Sequence, residues 1–493
     1  MPVIEIKIIS PDNPRTIEVE PGSSLLDILR NNGLNIYAPC GGKGKCGKCM
    51  ITVNGEGNFL SCSYYPVKDI EITLPGKDVA NILVSQTEFL ENIPFKSRDH
   101  FIGDAPYGVA ADIGTTTVVL YFLNMLTGRI EKIASFLNPQ NIYGADVISR
   151  ITYCQERENG LNDLRQVIIN AINYELDRFS LTKGIRPASF ERIIVAGNTT
   201  MLHLLLGEDP VPIALAPFTP KFTGMQVRKG DMSGLNINHL ADVITLPCIS
   251  AYVGADIVAG LAVIKPLYRD YLFIDIGTNG EMALVKGDRI FTCSTAAGPA
   301  FEGASLSCGS GAVTGAVSSF ISPEEFTVIG NTEPAGICGS GIADIIAYLL
   351  DAGLVDKTGV LKLPFTIHQK NNVVVTQQDI REIQLAKSAI YSGIKILMNR
   401  AGMDFNDIDA LYLAGGFGNY INIRSAVRIG LLPAELQNKI FPVGNSAGMG
   451  ALQYLKSDEF EKRIDSITGS SEYIELSDSD DFTIEFVMNM DFG

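Results

Sequence analysis

Nothing in these 493 residues is apolar for long enough to cross a membrane as a helix. Basic side chains are the scarcer charge. The chain has 39 Lys and Arg against 55 Asp and Glu, a formal net charge of −16. That balance argues against nucleic acid and against an anionic membrane surface as partners. It is compatible with a basic protein partner. Histidine is scarce too: His100, His203, His239 and His368 lie far apart, and no metal-ligand spacing links them. His203, in the apolar run 201–206, reads as a core or helix-face residue. Tryptophan is absent, and no function follows from that. No targeting segment is read at the start of the chain. With nine cysteines, this leads to the expectation of a reducing cytoplasm. The composition is otherwise that of a globular protein, 46% hydrophobic and 19% charged, with room for roughly two to four domains.

Four of the nine cysteines are gathered early. Cys40, Cys46, Cys49 and Cys62 are separated by five, two and twelve residues. Four thiolates at such gaps are what a 2Fe-2S cluster needs, and a cluster means electron transfer. Gly41, Gly42, Gly44 and Gly47 let the loop turn tightly and aim its amides at the sulfurs. Residues 3–9 and 15–20 alternate as strands. Residues 23–32 read as a helix capped by Ser23 or Ser24, and 50–53 and 69–74 as two more strands. This is the order of a β-grasp domain, and the whole resembles a plant-type 2Fe-2S ferredoxin. Two departures stand out: a first gap of five residues and a short last gap of twelve. Zinc is an alternative, although structural zinc sites usually carry two C-x-x-C knuckles and only Cys46/Cys49 forms one here. A disulfide framework is the other, disfavoured without a secretory context. Residues 42–49 nearly spell a phosphate-binding GxxxxGK loop, but end in Cys and lack the flanking strand and helix.

The predicted architecture is a multi-domain α/β protein. Residues 1–76 form the ferredoxin-like domain and 77–106 a linker. Residues 107–493 form a two-lobed domain, with lobes at about 107–270 and 271–493. The division into lobes rests on an internal repeat. GVAADIGTTTV, from residue 108, returns in form as LFIDIGTNGE, from residue 272. Each copy is an apolar strand, then Asp-Ile-Gly-Thr, then a second and a third strand. Asp112 and Asp275 are 163 residues apart, too far for a solenoid and suited to a duplicated domain with a cleft between its halves. Near the end, Asp478, Asp480 and Asp481 read as a solvated turn before a strand-like segment at 482–488.

The repeated segment has readable chemistry. A tight hairpin with glycine at its tip brings backbone amides and threonine hydroxyls to a phosphate. An aspartate at the strand end can hold Mg²⁺, directly or through water. Asp112 with Gly114, Thr115, Thr116 and Thr117 makes one hairpin. Asp275 with Gly277, Thr278 and Asn279 makes the other. A third glycine-rich segment, LAGGFG at 413–418, follows an apolar stretch, and Gly415, Gly416 and Phe417 leave room for a base and ribose. One such hairpin alone is as well read as a plain β-turn.

The ordered trio of two phosphate hairpins and an AGG loop resembles the acetate-and-sugar-kinase, heat-shock-chaperone and actin superfamily over residues 107–455. It implies a duplicated ribonuclease-H-like, actin-type ATPase. The segments NPQNIYGADVISR (138–150), VAGNTTM (195–201), AGPAFEG (297–303) and ICGSGI (337–342) narrow the resemblance. With the cysteine-rich domain, the chain is similar to the reductive activators of corrinoid proteins. That family often carries a further domain between its two modules, and residues 77–106 are too short for one. The resemblance implies an ATP-hydrolysing activator that returns a cobalt(II) corrinoid to cobalt(I). Its cofactors would be a 2Fe-2S cluster, ATP and Mg²⁺. Its partners would be the corrinoid protein of a methyltransferase system, an upstream low-potential electron donor and a second copy of the chain. Asp112 and Asp275 would organise Mg²⁺ and the attacking water, and the four early cysteines would ligate the cluster. Asn198, Glu281 and Glu302 are placed as further cleft candidates, each equally an ordinary structural residue. Cys154, Cys248, Cys293, Cys308 and Cys338 are read as small buried side chains, against a cluster shared across a dimer as in activators of 2-hydroxyacyl-CoA dehydratases. Rival functions are an ATP-dependent electron activator of another low-potential metalloenzyme, like the 2-hydroxyacyl-CoA dehydratase activators, a small-molecule kinase with a regulatory cluster, and a nucleotide-binding redox sensor.

Overall fold

The computed structural model describes residues 3–9, 14–32, 34, 36, 44, 49–73, 88–96, 106–477 and 479–493. The first unit is a five-stranded sheet. Strand β1 (Ile4–Ile9) alternates buried and exposed along its length, the period-two pattern of a half-buried strand. It pairs antiparallel with β2 (Arg15–Val19) and parallel with β5 (Ile70–Thr73). Strands β3 (Met50–Val53) and β4 (Gly57–Leu60) complete the order β2-β1-β5-β3-β4. The helix Leu25–Asn31 buries Leu25, Leu26, Ile28 and Leu29 against the sheet, and Ser24 caps it by accepting the Asp27 amide at 3.1 Å. These elements follow the sequence reading closely, apart from β4. That strand opens on Gly-Asn and is held by pairing with β3 rather than by propensity.

The two lobes repeat one plan. In the first, β6 (Tyr107–Ile113), β7 (Thr117–Asn124) and β8 (Ile130–Leu137) form an antiparallel meander. β9 (Phe190–Gly197) lies parallel to β6, and β11 (Asp242–Thr245) and β10 (Gln226–Lys229) extend the far edge. In the second, β12 (Asp270–Ile276), β13 (Gly280–Lys286) and β14 (Arg289–Thr295) repeat the meander. The strand Ala410–Ala414 lies parallel to β12, with Ile440–Gly444 beyond it. Asp112 stands opposite Val119 and Asp275 opposite Glu281, so the two aspartates occupy equivalent strand ends. β6 and β12 are buried along most of their length, as central strands covered on both faces must be.

The helix Ser446–Lys456 crosses back to the first lobe. It packs Ala447, Met449, Ala451 and Leu452 into the same core as β6, β9 and the helix Ala255–Val263. Gly450 permits this approach, since a Cβ there would stand 2.2 Å from the Ala259 carbonyl. The part of the linker that is described, residues 88–96, is an extended strap. Glu91 donates its amide to Val263 O at 2.8 Å, Ile93 donates to Gln453 Oε1 at 2.9 Å, and Phe89 packs on Phe441. Among the described residues, no helix is long and apolar enough to cross a membrane.

The final segment corrects the sequence reading. Residues 480–488 are a helix, Asp480–Met488, and not a strand. Ser479 caps it by accepting the Phe482 amide at 3.1 Å, and Asp480 and Asp481 sit in its first turn, where the helix dipole favours negative charge. Asp478 lies outside the described residues.

Candidate functional site

Both Asp-Ile-Gly-Thr turns are hairpin tips between two antiparallel strands. Gly114 donates its amide to Thr117 O at 2.9 Å, and Gly277 donates to Asn279 O at 3.0 Å. These glycines therefore shape the turns and do not offer their amides to a ligand. A Cβ at Gly114 would stand 2.9 Å from Thr117 O.

The first hairpin is braced from behind by residues of the 138–150 segment. Asn138 donates its side-chain amide to Gly114 O at 2.8 Å and its backbone amide to Thr116 O at 2.8 Å. Arg150 is fully buried. Its guanidinium donates to Thr115 O at 2.6 Å, Gly144 O at 2.9 Å and Gln140 Oε1 at 3.2 Å. Burial pulls its ionisation down to about 9. Asn198 donates to Thr115 Oγ1 at 2.9 Å and also caps the helix Thr199–Leu206.

Asp112, Asp256, Asp275, Glu281 and Glu302 line one crevice, each side chain only partly open to solvent. Burial is the main force raising all five carboxyls, and repulsion within the group adds to it at Asp112, Asp275 and Glu281. Asp112 is pushed up to about 8 by burial, Asp256 and Asp275, against a hydrogen bond from Asn445. Asp275 is pushed up to about 7 by burial, Asp256 and Glu302. Asp256 is raised to about 6 by burial, against amides including that of Ile257 at 2.9 Å. Glu281 is pushed well up by burial and then by Asp256 and Asp275. Among the described residues no three of these acids converge closely enough to hold a metal by themselves, so a hard cation such as Mg²⁺ here would take one or two carboxylates and complete its shell with phosphate oxygens and water. Glu302 is also raised by burial, and accepts hydroxyls from Thr116 and Thr278.

The AGG loop closes the crevice from the second lobe. Gly415 has φ +83°, and a Cβ there would stand 2.3 Å from Asp275 Oδ1. Nothing stands within 4 Å of a Cβ at Gly416, so that face is open. Phe417 stacks on Phe301 with ring centres 4.7 Å apart. Beside Thr278 and Asn279 a cavity of about 750 Å³ opens between the lobes, also lined by Asp146, Tyr252 and Glu475.

In the first unit, Cys49 and Cys62 are buried with their sulfurs 3.3 Å apart. Cys62 lies on the turn Ser61–Ser63, and the Ser61 amide donates to Cys49 O at 2.9 Å. The Gly44 amide is directed at the Cys62 sulfur, and Gly44 takes φ +70°, the left-handed geometry glycine permits. Two converging buried thiols with an amide aimed at one of them suit an iron–sulfur group. Cys40, Cys46, Gly41, Gly42 and Gly47 lie outside the described residues. Arg30 donates to Ile142 O, lies 5.8 Å from the Tyr143 ring centre and places its charge near Cys49.

The structure thus gathers Asp112, Asp275, both hairpins and the AGG loop around one crevice. Sequence reasoning missed Asp256, Arg150, Asn138 and Asn445. A signal was present: Gly-Ala-Asp opens a helix twice, with Asp146 capping Val147–Glu156 and Asp256 in the first turn of Ala255–Val263. Of the scattered cysteines read as buried, Cys248, Cys293 and Cys338 are so, whereas Cys154 and Cys308 are only half-buried. His203 is buried, stacked on Phe222, with Nδ1 2.7 Å from Thr199 O and Nε2 accepting the Lys221 amide at 3.2 Å.

Comparison with known proteins places names beside this geometry. Residues 9–69 match the 2Fe-2S iron-sulfur cluster binding domain, 107–268 the RACo middle region, and 270–493 the C-terminal domain of RACo, the ASKHA domain. The chain is 30% identical to the corrinoid activation enzyme RamQ of Eubacterium limosum over 99% of each protein. That alignment runs over 593 positions, more than the 493 residues here, so part of the relative's length has no counterpart in this chain. It is 27% identical to the Co(II) methylated amine-specific corrinoid protein reductase of Methanosarcina barkeri, over 69% of this chain and 68% of that one. A solved structure described as a reductive activator for corrinoid, iron-sulfur protein covers 99% of this chain and 98% of its own, at 28% identity and a TM-score of 0.71.

Proposed function

This chain belongs to the RACo-type reductive activators of corrinoid proteins, and from that premise we propose that it passes one electron to the cobalt(II) corrinoid of a methyl-transfer protein, restoring cobalt(I) at the expense of ATP. One observation carries this reading: a single chain joins converging buried thiols in a 2Fe-2S domain to an acid-lined crevice between two phosphate-type hairpins. When bound, the cluster supplies a one-electron carrier and Mg-ATP supplies the free energy.

The chain's own residues divide the work. Cys40, Cys46, Cys49 and Cys62 hold the cluster. The Gly44 amide and the Arg30 charge favour its more negative, reduced form. Asp112 and Asp275, with Asp256 and Glu281 beside them, hold Mg²⁺ and orient the attacking water. Thr115, Thr116, Thr117, Thr278 and Asn279 face the phosphates on turns shaped by Gly114 and Gly277. Gly415, Gly416 and Phe417 accommodate the adenosine. Nucleotide shifts the lobes only through unequal affinity for their open and closed arrangements. For a one-electron step, about 59 mV is a tenfold change in equilibrium, so a modest bias matters. The electron arrives from an upstream low-potential donor, the thiols require a reducing cytoplasm, and two copies associate through the ATPase domain.

A kinase reading draws on the cavity beside Thr278. Its lining acids are Asp146 and Glu475. Asp146 caps a helix by accepting the Ser149 amide at 2.7 Å, and Glu475 accepts Tyr473 OH at 3.2 Å and the Ser477 amide at 3.0 Å. Both carboxylates already have structural partners, which weakens either as a catalytic base.

Anaerobic spin-resonance spectroscopy tests the proposal. The reduced protein mixed with a cobalt(II) corrinoid protein should lose its cluster signal and the cobalt(II) signal together, one for one, only with Mg-ATP. Persistence of both signals with Mg-ATP present would falsify it.

A further inference from the structure

Glu302 occupies a place in the crevice that the hairpin chemistry reserves for an anion. Thr116 Oγ1 donates to one of its carboxylate oxygens at 2.8 Å, and Thr278 Oγ1 donates to the other at 2.5 Å. Thr116 belongs to the first lobe and Thr278 to the second. A hydroxyl carries one donor proton. Both of these protons are spent on Glu302, so neither is available to a phosphate while the carboxylate stays.

The carboxylate is held there by its own turn. Glu302 ends the single turn Pro299–Glu302, flanked by Gly298 and Gly303, both at φ +75°. A Cβ at Gly303 would stand 2.3 Å from the Ser310 carbonyl, so the turn is fixed against that neighbour. The charged groups facing Glu302 are Arg150, Asp146 and Asp275. Arg150 is already engaged by the carbonyls of Thr115 and Gly144.

We propose that Glu302 is a built-in competitor for phosphate: it ties the two hairpins together across the cleft, and the phosphate chain of a nucleotide takes both hydroxyls from it. This rests on the reading of the crevice as the ATP site. Two anions cannot share the same pair of donors, so binding severs a contact that joins the lobes. The lobes are then joined through nucleotide instead of through Glu302. That exchange makes Glu302 a positioning residue through which the protein registers ATP.

Calorimetric titration of the full-length, cluster-loaded protein with Mg-ATP tests it. Glu302→Gln keeps the size of the side chain and removes its charge, and should bind Mg-ATP about tenfold tighter, on the scale of one relieved like-charge contact. Thr278→Val removes one hydroxyl and should bind about tenfold weaker. Glu302→Asp keeps the charge but is too short to reach both threonines, and should fall between wild type and the Gln variant. A residue that merely held the lobes together would give the opposite sign, since its loss would loosen the site. Glu302→Gln binding no tighter than wild type overturns the proposal, as does Thr278→Val binding as wild type does. If wild type itself takes up no Mg-ATP, the ATP-site reading falls and the competitor with it. Thermal melts without nucleotide confirm that each variant is folded.

Discussion

Asp112, held up to about 8, shares its crevice with Asp275 at about 7 and Asp256 at about 6. An unfolded aspartate titrates near 4, so between about pH 4 and 8 the folded protein binds more protons than the unfolded chain. The stability these groups contribute is fully present below about pH 4 and is lost as pH rises through the folded values. Melting of the protein free of nucleotide and Mg²⁺ should therefore fall between pH 5 and 8. Asp112→Asn should flatten that slope, and Mg²⁺ should flatten it in wild type by offsetting the repulsion. An unchanged slope in the Asn variant would show that Asp112 is an ordinary carboxylate. Gly415→Ala makes a second prediction. Its Cβ would stand 2.3 Å from Asp275 Oδ1, on a backbone at φ +83°. It should cost about 1–3 kcal/mol in urea unfolding and weaken Mg-ATP binding at least tenfold. Asp112 and Asp275 were legible because each carries its whole signal in four adjacent residues. Arg150 and Asn445 were not, because what they hold lies 35 residues away for Arg150, and their roles exist only once the chain has folded.

Strands and helices with a strong local period were equally legible, and the last element shows where period fails. Phe482, Ile484, Phe486 and Met488 alternate as in a strand, yet Phe482 and Phe486 also stand one helical turn apart. Packing decides between them. The long helix Gln377–Ala401 offers an apolar face, and both phenylalanines pack onto the second-lobe core. Ser388 Oγ donates to Phe486 O at 2.5 Å. Lys387 Nζ donates to Asn489 O at 2.5 Å and to Asp491 O. We predict that Lys387→Met, which keeps the packing and removes the donors, destabilises the protein by about 1–3 kcal/mol in urea. It should also speed proteolysis near the C-terminus. A variant as stable and as resistant as wild type would mean that the final helix is held by its phenylalanines and the Ser388 hydrogen bond, without help from Lys387.

At the scale of the whole molecule, the ferredoxin-like unit and the ATPase meet at Arg30, which reaches Ile142 O and lies beside Tyr143 while its charge is near Cys49. Ile142 ends the turn Pro139–Ile142, next to Asn138, which braces the first hairpin. A side chain between thiols and hairpin is a physical route by which nucleotide state and cluster can influence each other. Arg30→Met should lower the cluster's reduction potential in a redox titration, because removing a positive charge disfavours the more negative state. An unshifted potential would confine Arg30 to a structural role. The fold was readable at this scale because the duplication repeats itself in sequence. The contact between modules was not, since a lone arginine on a helix carries no sign of what it will meet. The proposed function requires that Mg-ATP in the cleft drives electron delivery from the thiol-bound cluster to cobalt. It is tested most directly by following the cobalt(II) and cobalt(I) absorption bands of a corrinoid protein mixed anaerobically with this protein in reduced form. The account predicts cobalt(I) with Mg-ATP, none without it, and none with Asp275→Ala under either condition. Cobalt(I) appearing equally fast without nucleotide, or undiminished in the Asp275→Ala variant, would contradict it.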